Sequence, residues 1–253
     1  VEILSAQEAS QIVVNEAYRI VQLKDGAEIS CHAVLIATGA SFHTLKMPGA
    51  DALTGAGIYY GAAYTEAMNY KDGDVFVVGG ANSAAQGAIY LSQFARKVTV
   101  LVRAHEPTAS KHLVDAMQSN AKIEILTDTD LLEVRGSAAL EGIVIKNTKS
   151  DEIKTFDASA LFVFIGVRPQ SQLVADLVIR SEKGYVFTGP DLMKDKNPPP
   201  NWTLERDPFL LETSTPGIFA AGDVRYGTSH RVASAVGEGA IAYALMKEYL
   251  KSL

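Results

Sequence analysis

Apolar and polar residues alternate through residues 9–15 and 18–23, with shorter runs at 2–4, 27–31 and 33–37. Alternation of period two is the signature of strands with one face covered, and Lys24-Asp25-Gly26 is a hairpin turn between two of them. The pattern predicts a β-meander that closes on Ile36-Ala37-Thr38-Gly39-Ala40. Pro48-Gly49 marks a linker, and a new unit is expected from near Gly57. There the pattern changes: Asp74-Val75-Phe76-Val77-Val78 is a short apolar strand, residues 79–84 are a small-residue turn, residues 85–95 carry helical spacing, and residues 97–102 form a second strand of buried character. Strand, turn, helix and strand in that order make a βαβ unit. A helix at 112–119, a strand at 123–126, a hairpin-rich stretch at 131–156 and a strand at 160–165 follow. After a Pro-rich surface loop at 197–202 come a strand at 217–221 and a closing helix at 231–250, with Val232, Val236, Ile241, Leu245 and Leu250 on or near one face. The expected class is α/β.

Composition narrows the function. The 253 residues are 47% hydrophobic, enough to bury a sizeable core and form more than one lobe. A net charge of -6 without basic blocks argues against nucleic acid or an anionic membrane surface as partner. The longest apolar stretch, at 158–167, falls short of the roughly 20 residues of a spanning helix. No signal peptide is visible, so the cytoplasm is the default location. The single cysteine, Cys31, excludes an internal disulfide, a dithiol pair or a Cys-rich zinc site, so redox chemistry must run on a cofactor. The five histidines show no metal-ligand spacing.

Two constellations carry chemistry. Gly79-x-Ala81-x-x-Ala84 follows a strand and opens a helix, the setting in which backbone N–H groups and the positive helix end receive a pyrophosphate. Ala81 stands where this fingerprint prefers glycine, and small residues there also serve helix–sheet packing. Arg103 ends the second strand, where an arginine accommodates the 2′-phosphate of NADP and an acid would favour NAD; a solvated surface arginine reads the same way. The second constellation is residues 215–223, ending in Gly222-Asp223, then Arg231-Val232-Ala233 at the start of the last helix. An aspartate at the carboxyl end of a strand binds a polyol hydroxyl, and a helix start stabilises negative charge on a reduced ring. A Gly-Asp pair also simply caps turns.

In their order along the chain, Val34-Leu35-Ile36-Ala37-Thr38-Gly39-Ala40, residues 77–84, residues 161–166 with Pro169, Gly222-Asp223 and Arg231-Val232-Ala233 resemble the pyridine nucleotide-disulfide oxidoreductase superfamily, specifically its thioredoxin-reductase-like flavoproteins. The resemblance implies a Rossmann-like NAD(P)-binding domain, residues 57–167, inserted into an FAD-binding domain made of residues 1–56 and 168–253. It implies FAD against Thr38, Gly39, Gly222 and Asp223, with the Arg231, Val232 and Ala233 backbone at the flavin edge, and a cofactor-binding role for Gly166. It places Gly79, Gly80, Asn82, Ser83 and Ala84 at the NADP pyrophosphate and Arg103 at the 2′-phosphate; NAD is the alternative, because Ala104 and Thr108 stand where two further basic residues belong. It further implies a homodimer that passes electrons to a small-molecule or protein acceptor.

Two departures stand out. Gly61-Ala62-Ala63-Tyr64 occupies the place of the redox Cys-x-x-Cys pair. The family's first glycine fingerprint would precede Val1, so the expectation is a piece of a longer flavoprotein, with an upstream regulatory domain in the parent and weak flavin binding by the piece alone. Tyr59, Tyr60 and Tyr64 are candidates for packing or for stacking on a flavin, Glu66 is a candidate proton donor, and Cys31 reads as a small buried hydrophobe. A nucleotide-binding sensor without turnover is the alternative function.

Overall fold

The computed structural model describes residues 2–61, 64–193, 197–200 and 202–253, Tyr64 by its backbone alone. The chain runs through β1 (Ala9–Asn15), β2 (Tyr18–Leu23), β3 (Glu28–Cys31), β4 (Val34–Ile36), β5 (Ala40–Phe42), β6 (Ile58–Tyr60), α1 (Tyr64–Asn69), β7 (Asp74–Val78), α2 (Asn82–Leu91) and β8 (Lys97–Leu101). It continues with α3 (Lys111–Gln118), β9 (Ile123–Leu126), β10 (Thr129–Arg135), β11 (Gly142–Asn147), β12 (Ile153–Asp157), β13 (Ala160–Val163), β14 (Val167–Pro169), β15 (Ile218–Ala220) and α4 (Val232–Lys251). This is the expected mixed α/β class. Among the described residues, no helix is long and apolar enough to cross a membrane.

Two compact units result: Val1–Ser41 with Val167–Leu253, and Phe42–Gly166. The first division falls after residue 41, whereas the linker expected from Pro48-Gly49 put it after 56. The cause is burial: Leu45, Ala50 and Leu53 join the core of the second unit beside Ile58 and Phe76.

The second unit is a five-stranded parallel sheet in the order β6-β13-β7-β8-β9. Alternation sorts its side chains to two faces. Val75, Val77, Val98, Val100, Ala160 and Phe162 pack beneath α2 and α3. Phe76, Leu101, Leu161 and Val163 face the antiparallel meander β10-β11-β12 through Val134, Ile143 and Ile145. A parallel sheet must be covered on both sides, and here a small sheet replaces helices on one of them. Full burial of a side chain such as Phe162 contributes roughly 1.5–3 kcal/mol.

In the first unit, β1, β2 and β3 form the expected meander. Two expectations are corrected. Residues 2–4 are not a strand, since Ile3 and Leu4 are exposed and find no partner strand among the described residues. Residues 34–36 leave the meander and pair in parallel with β15. On this pair Ile36, Ile218 and Ala220 face a core with Ile12, Val174, Val186 and Val224, while Leu35 and Phe219 face α4.

The buried stripe of α4 is Ala242, Leu245, Met246 and Tyr249, spaced i, i+3, i+4, i+7. Of the residues expected on or near one face, Leu245 joins this stripe, whereas Val232, Val236, Ile241 and Leu250 are 83%, 68%, 44% and 45% exposed, because the stripe is set by the Phe219 and Leu211 surface.

Candidate functional site

In the second unit the site forms at the carboxyl end of the parallel sheet. Strand β7 runs into Gly79, whose φ of +140° is open to glycine. A Cβ there would meet the Phe164 carbonyl oxygen at 2.5 Å and the Ala84 methyl at 3.1 Å. Helix α2 begins at Asn82, three residues before the expected start, because Ala81 already takes the extended N-cap conformation. Ala81 supplies no side-chain cap, so the first-turn N–H groups of α2 lack a side-chain acceptor. Ala84 is buried against the turn. The next loop straps onto it: the Gly80 carbonyl accepts the N–H groups of Thr108 (2.8 Å) and Ala109 (3.0 Å), and Asn82 Oδ1 accepts the Ser110 N–H (2.8 Å). The Asn82 side chain is thus committed to the loop.

Arg103 lies two residues beyond β8, the parallel neighbour of β7, and is exposed. Its guanidinium makes no hydrogen bond or ion pair among the described residues and is available to an anion. Asp128 nearby is already matched: it takes hydrogen bonds from His105 (3.0 Å) and Lys149, and these, with the two charges, hold its carboxyl below the usual range against the opposing effect of desolvation. Gly166 follows β13, with φ +98° and its carbonyl accepting the His43 N–H at 3.0 Å. Gly79, Gly80, Asn82, Ser83, Ala84 and Arg103 therefore gather at the carboxyl end of β7 and β8, and Phe164 N–H bonds to Val78 O beside them.

In the first unit, parallel pairing of β4 and β15 brings residues 37–39 next to residues 221–223, and the Ala221 N–H donates to Ile36 O at 3.0 Å. Gly39 has φ +67°, with open space where a Cβ would stand. The Thr38 hydroxyl donates to Gln170 O, and the Gln170 N–H donates to Gly39 O at 2.8 Å. Asp223 lies in a 3-10 turn, Gly222–Val224. Its side chain is 38% exposed, its carboxylate accepts no hydrogen bond among the described residues, and the His230 ring stands 3.7 Å away. Gly222 packs close to Ala235 in the first turn of α4, so Asp223 adjoins the helix start. There Arg231, Val232 and Ala233 are exposed, and the helix has no side-chain cap.

Other candidates are placed differently. Tyr59 stacks on Phe162 at 5.5 Å and its hydroxyl meets that of Tyr70 at 2.9 Å, while Tyr60 accepts the Leu45 N–H; both serve packing within the second unit. Burial raises the Tyr70 pKa further than its bond to Tyr59 does. Glu66 accepts a hydrogen bond from the Thr65 hydroxyl. Ala62, Ala63 and the Tyr64 side chain, in the stretch expected at the place of the redox pair, lie outside the described residues. Cys31 is half-buried, its Sγ donating to Arg19 O at 3.1 Å; burial raises its pKa against the opposing Arg19 charge. Sequence reasoning missed Gln170, Arg225 and Glu238, although the Gly237-Glu238-Gly239 triplet was a signal, with its acid between residues that carry no side chain.

The family model "pyridine nucleotide-disulphide oxidoreductase" matches residues 1–239. A thioredoxin reductase of Peptoclostridium litorale is 34% identical over 232 residues, covering 89% of this chain and 67% of the relative. A Mycolicibacterium smegmatis thioredoxin reductase is 33% identical over 210 residues, and the chain spans 61% of it. Among solved structures, the thioredoxin reductase of Lactococcus lactis superposes with a TM-score of 0.76 at 27% identity, covering 98% of this chain and 75% of that one. That of Streptococcus pyogenes gives 0.69 at 32%, covering 98% and 74%. The chain belongs to the pyridine nucleotide-disulphide oxidoreductase family, with thioredoxin reductases among its relatives.

Proposed function

We propose that the full-length protein carrying this sequence is an FAD-dependent NAD(P)H oxidoreductase that delivers electrons to a small-molecule or protein acceptor without an internal dithiol. The observation that carries this is the Asp223 carboxylate, which accepts no hydrogen bond among the described residues and has the His230 ring at 3.7 Å, at the carboxyl end of β15 and beside a helix start, that of α4, with no side-chain cap. A carboxylate in that setting suits the hydroxyls of a polyol chain, and the backbone at Arg231, Val232 and Ala233 suits the electron-rich edge of a flavin ring. In the second unit, the turn at Gly79 and the first turn of α2 suit a pyrophosphate, and Arg103, without a partner among the described residues, suits the 2′-phosphate of NADP. Bound flavin would supply the two-electron chemistry, accepting hydride from the nicotinamide. The residues of this chain bind, orient and balance charge. Cys31 is the sole thiol, and its raised pKa leaves it a poor nucleophile. Two domains divided as the two units are, FAD-binding and NAD(P)-binding, and a homodimeric assembly accord with this reading.

The test is purification of the full-length protein, a visible spectrum for bound flavin, and NADPH and NADH oxidation with ferricyanide, a quinone, oxygen and thioredoxin as acceptors. A yellow protein that turns over with ferricyanide or quinone but not thioredoxin is expected. A colourless protein that oxidises neither nucleotide sinks the proposal, and rapid reduction of thioredoxin overturns its dithiol-free part. A nucleotide-binding sensor is the second reading, favoured by the Ala81 methyl and by the commitment of Asn82 to the 108–110 strap. Nucleotide affinity by calorimetry without turnover of any acceptor would select it.

A further inference from the structure

Glu238 lies two turns into α4, and its carboxylate reaches back to the turn that carries Asp223. One oxygen, Oε2, accepts the Gly222 N–H at 2.7 Å. The other, Oε1, accepts an Arg225 Nη2–H at 2.7 Å. Gly222 and Arg225 are the two ends of one turn, closed by the Arg225 N–H donating to Gly222 O at 3.0 Å. One carboxylate therefore grips both ends of a four-residue turn with Asp223 inside it.

The grip is largely shielded from water: the side chains of Glu238 and Arg225 are 14% and 16% exposed. Charge-assisted hydrogen bonds in such surroundings are about twice as strong as neutral ones. Arg225 is anchored further by Thr188 Oγ1 at 3.4 Å and by Asp191 at 3.8 Å. Because Glu238 belongs to the same helix as Arg231, Val232 and Ala233, its bonds fix the Asp223 turn against the helix start.

We infer that Glu238 is a positioning residue: it touches no cofactor, and sets the Asp223 carboxylate relative to the N-terminus of α4 so that both meet one flavin nucleotide. The inference rests on the proposed flavin site. It explains the Gly-Glu-Gly triplet, since neither flanking glycine has any atom near a would-be Cβ and the acid alone does the holding.

The experiment measures FAD affinity by fluorescence titration in the full-length protein for the wild type, Glu238→Ala, Asp223→Ala and the double variant, with Glu238→Gln beside them. Glu238→Ala is expected to weaken FAD binding about tenfold, the size of one charge-assisted hydrogen bond. In the Asp223→Ala background the same change is expected to have almost no further effect, because its route to the ligand is gone. Glu238→Gln keeps one acceptor and loses the charge facing Arg225, so an intermediate loss is expected. It also serves as the folded reference if Glu238→Ala is unstable. Unchanged affinity in both Glu238 variants, or an equal loss with and without Asp223, overturns the positioning role while leaving the flavin site standing. A wild type that binds no FAD removes the site itself, and the inference with it.

Discussion

Gly79 is pressed against the carbonyl of Phe164: a Cβ on the glycine would stand 2.5 Å from that oxygen. The residue also holds a φ of +140°, which side-chain-bearing residues rarely adopt. Backbone clash and backbone strain act together, so Gly79→Ala is expected to cost about 2–4 kcal/mol. The thermal midpoint should fall on the order of 5–10 °C. An unchanged midpoint by calorimetry would mean that the β7–α2 turn yields to a methyl group.

Glu212 is fully buried and accepts four hydrogen bonds: two from Arg206 (2.7 and 3.1 Å), one from the Phe209 N–H and one from the Gly217 N–H. The Arg206 guanidinium also lies 3.8 Å from the Phe209 ring centre. Glu212→Ala strands this cation and two backbone donors, so a loss of about 3–5 kcal/mol in urea unfolding is expected. A loss below about 1 kcal/mol would show that the network contributes nothing net.

The acid limb of stability should depend on Glu238. Burial raises its pKa, but the Arg225 hydrogen bond, the Gly222 N–H and the Arg225 charge outweigh burial and hold it below the ordinary 4.5. A depressed folded-state pKa means stability that is present above 4.5 and lost as pH falls through the lower folded value. Glu238→Gln removes this group, so its stability should decline less steeply below pH 4.5 than that of the wild type. Parallel acid limbs in urea midpoints from pH 6 to 3 would contradict the assignment.

Arg103 is exposed just beyond β8 and has no hydrogen-bond or ion-pair partner among the described residues. If it meets the 2′-phosphate, Arg103→Ala should weaken NADPH binding about tenfold and leave NADH within about twofold, the loss of a single charge-assisted contact. Calorimetric titration of both nucleotides decides it; equal effects on the two would assign Arg103 to the solvent surface.

Much of this was legible in the chain because it is local. Val75, Val77, Phe76 and Leu161 announce strands buried on both faces, and Gly79 followed by small residues announces a turn into a helix, since a positive φ leaves few other choices. The lone Cys31 excluded a dithiol within these 253 residues before any fold was known. What the sequence did not disclose depends on partners distant along the chain. Residues 34–36 read as another meander strand, and only Ile218–Ala220, far downstream, draws them into parallel pairing. Val232 and Val236 read as core because helical spacing fixes a periodicity but not its phase; the surface of Leu211 and Phe219 sets the phase. Leu45 and Leu53 read as linker until the sheet they bury against is in place. The roles of Asp223 and Glu238 divide the same way. The strand-end aspartate was recognisable from its neighbours in sequence, whereas the carboxylate that holds its turn acts across a helix, through hydrogen bonds that exist only once α4 and β15 are packed together.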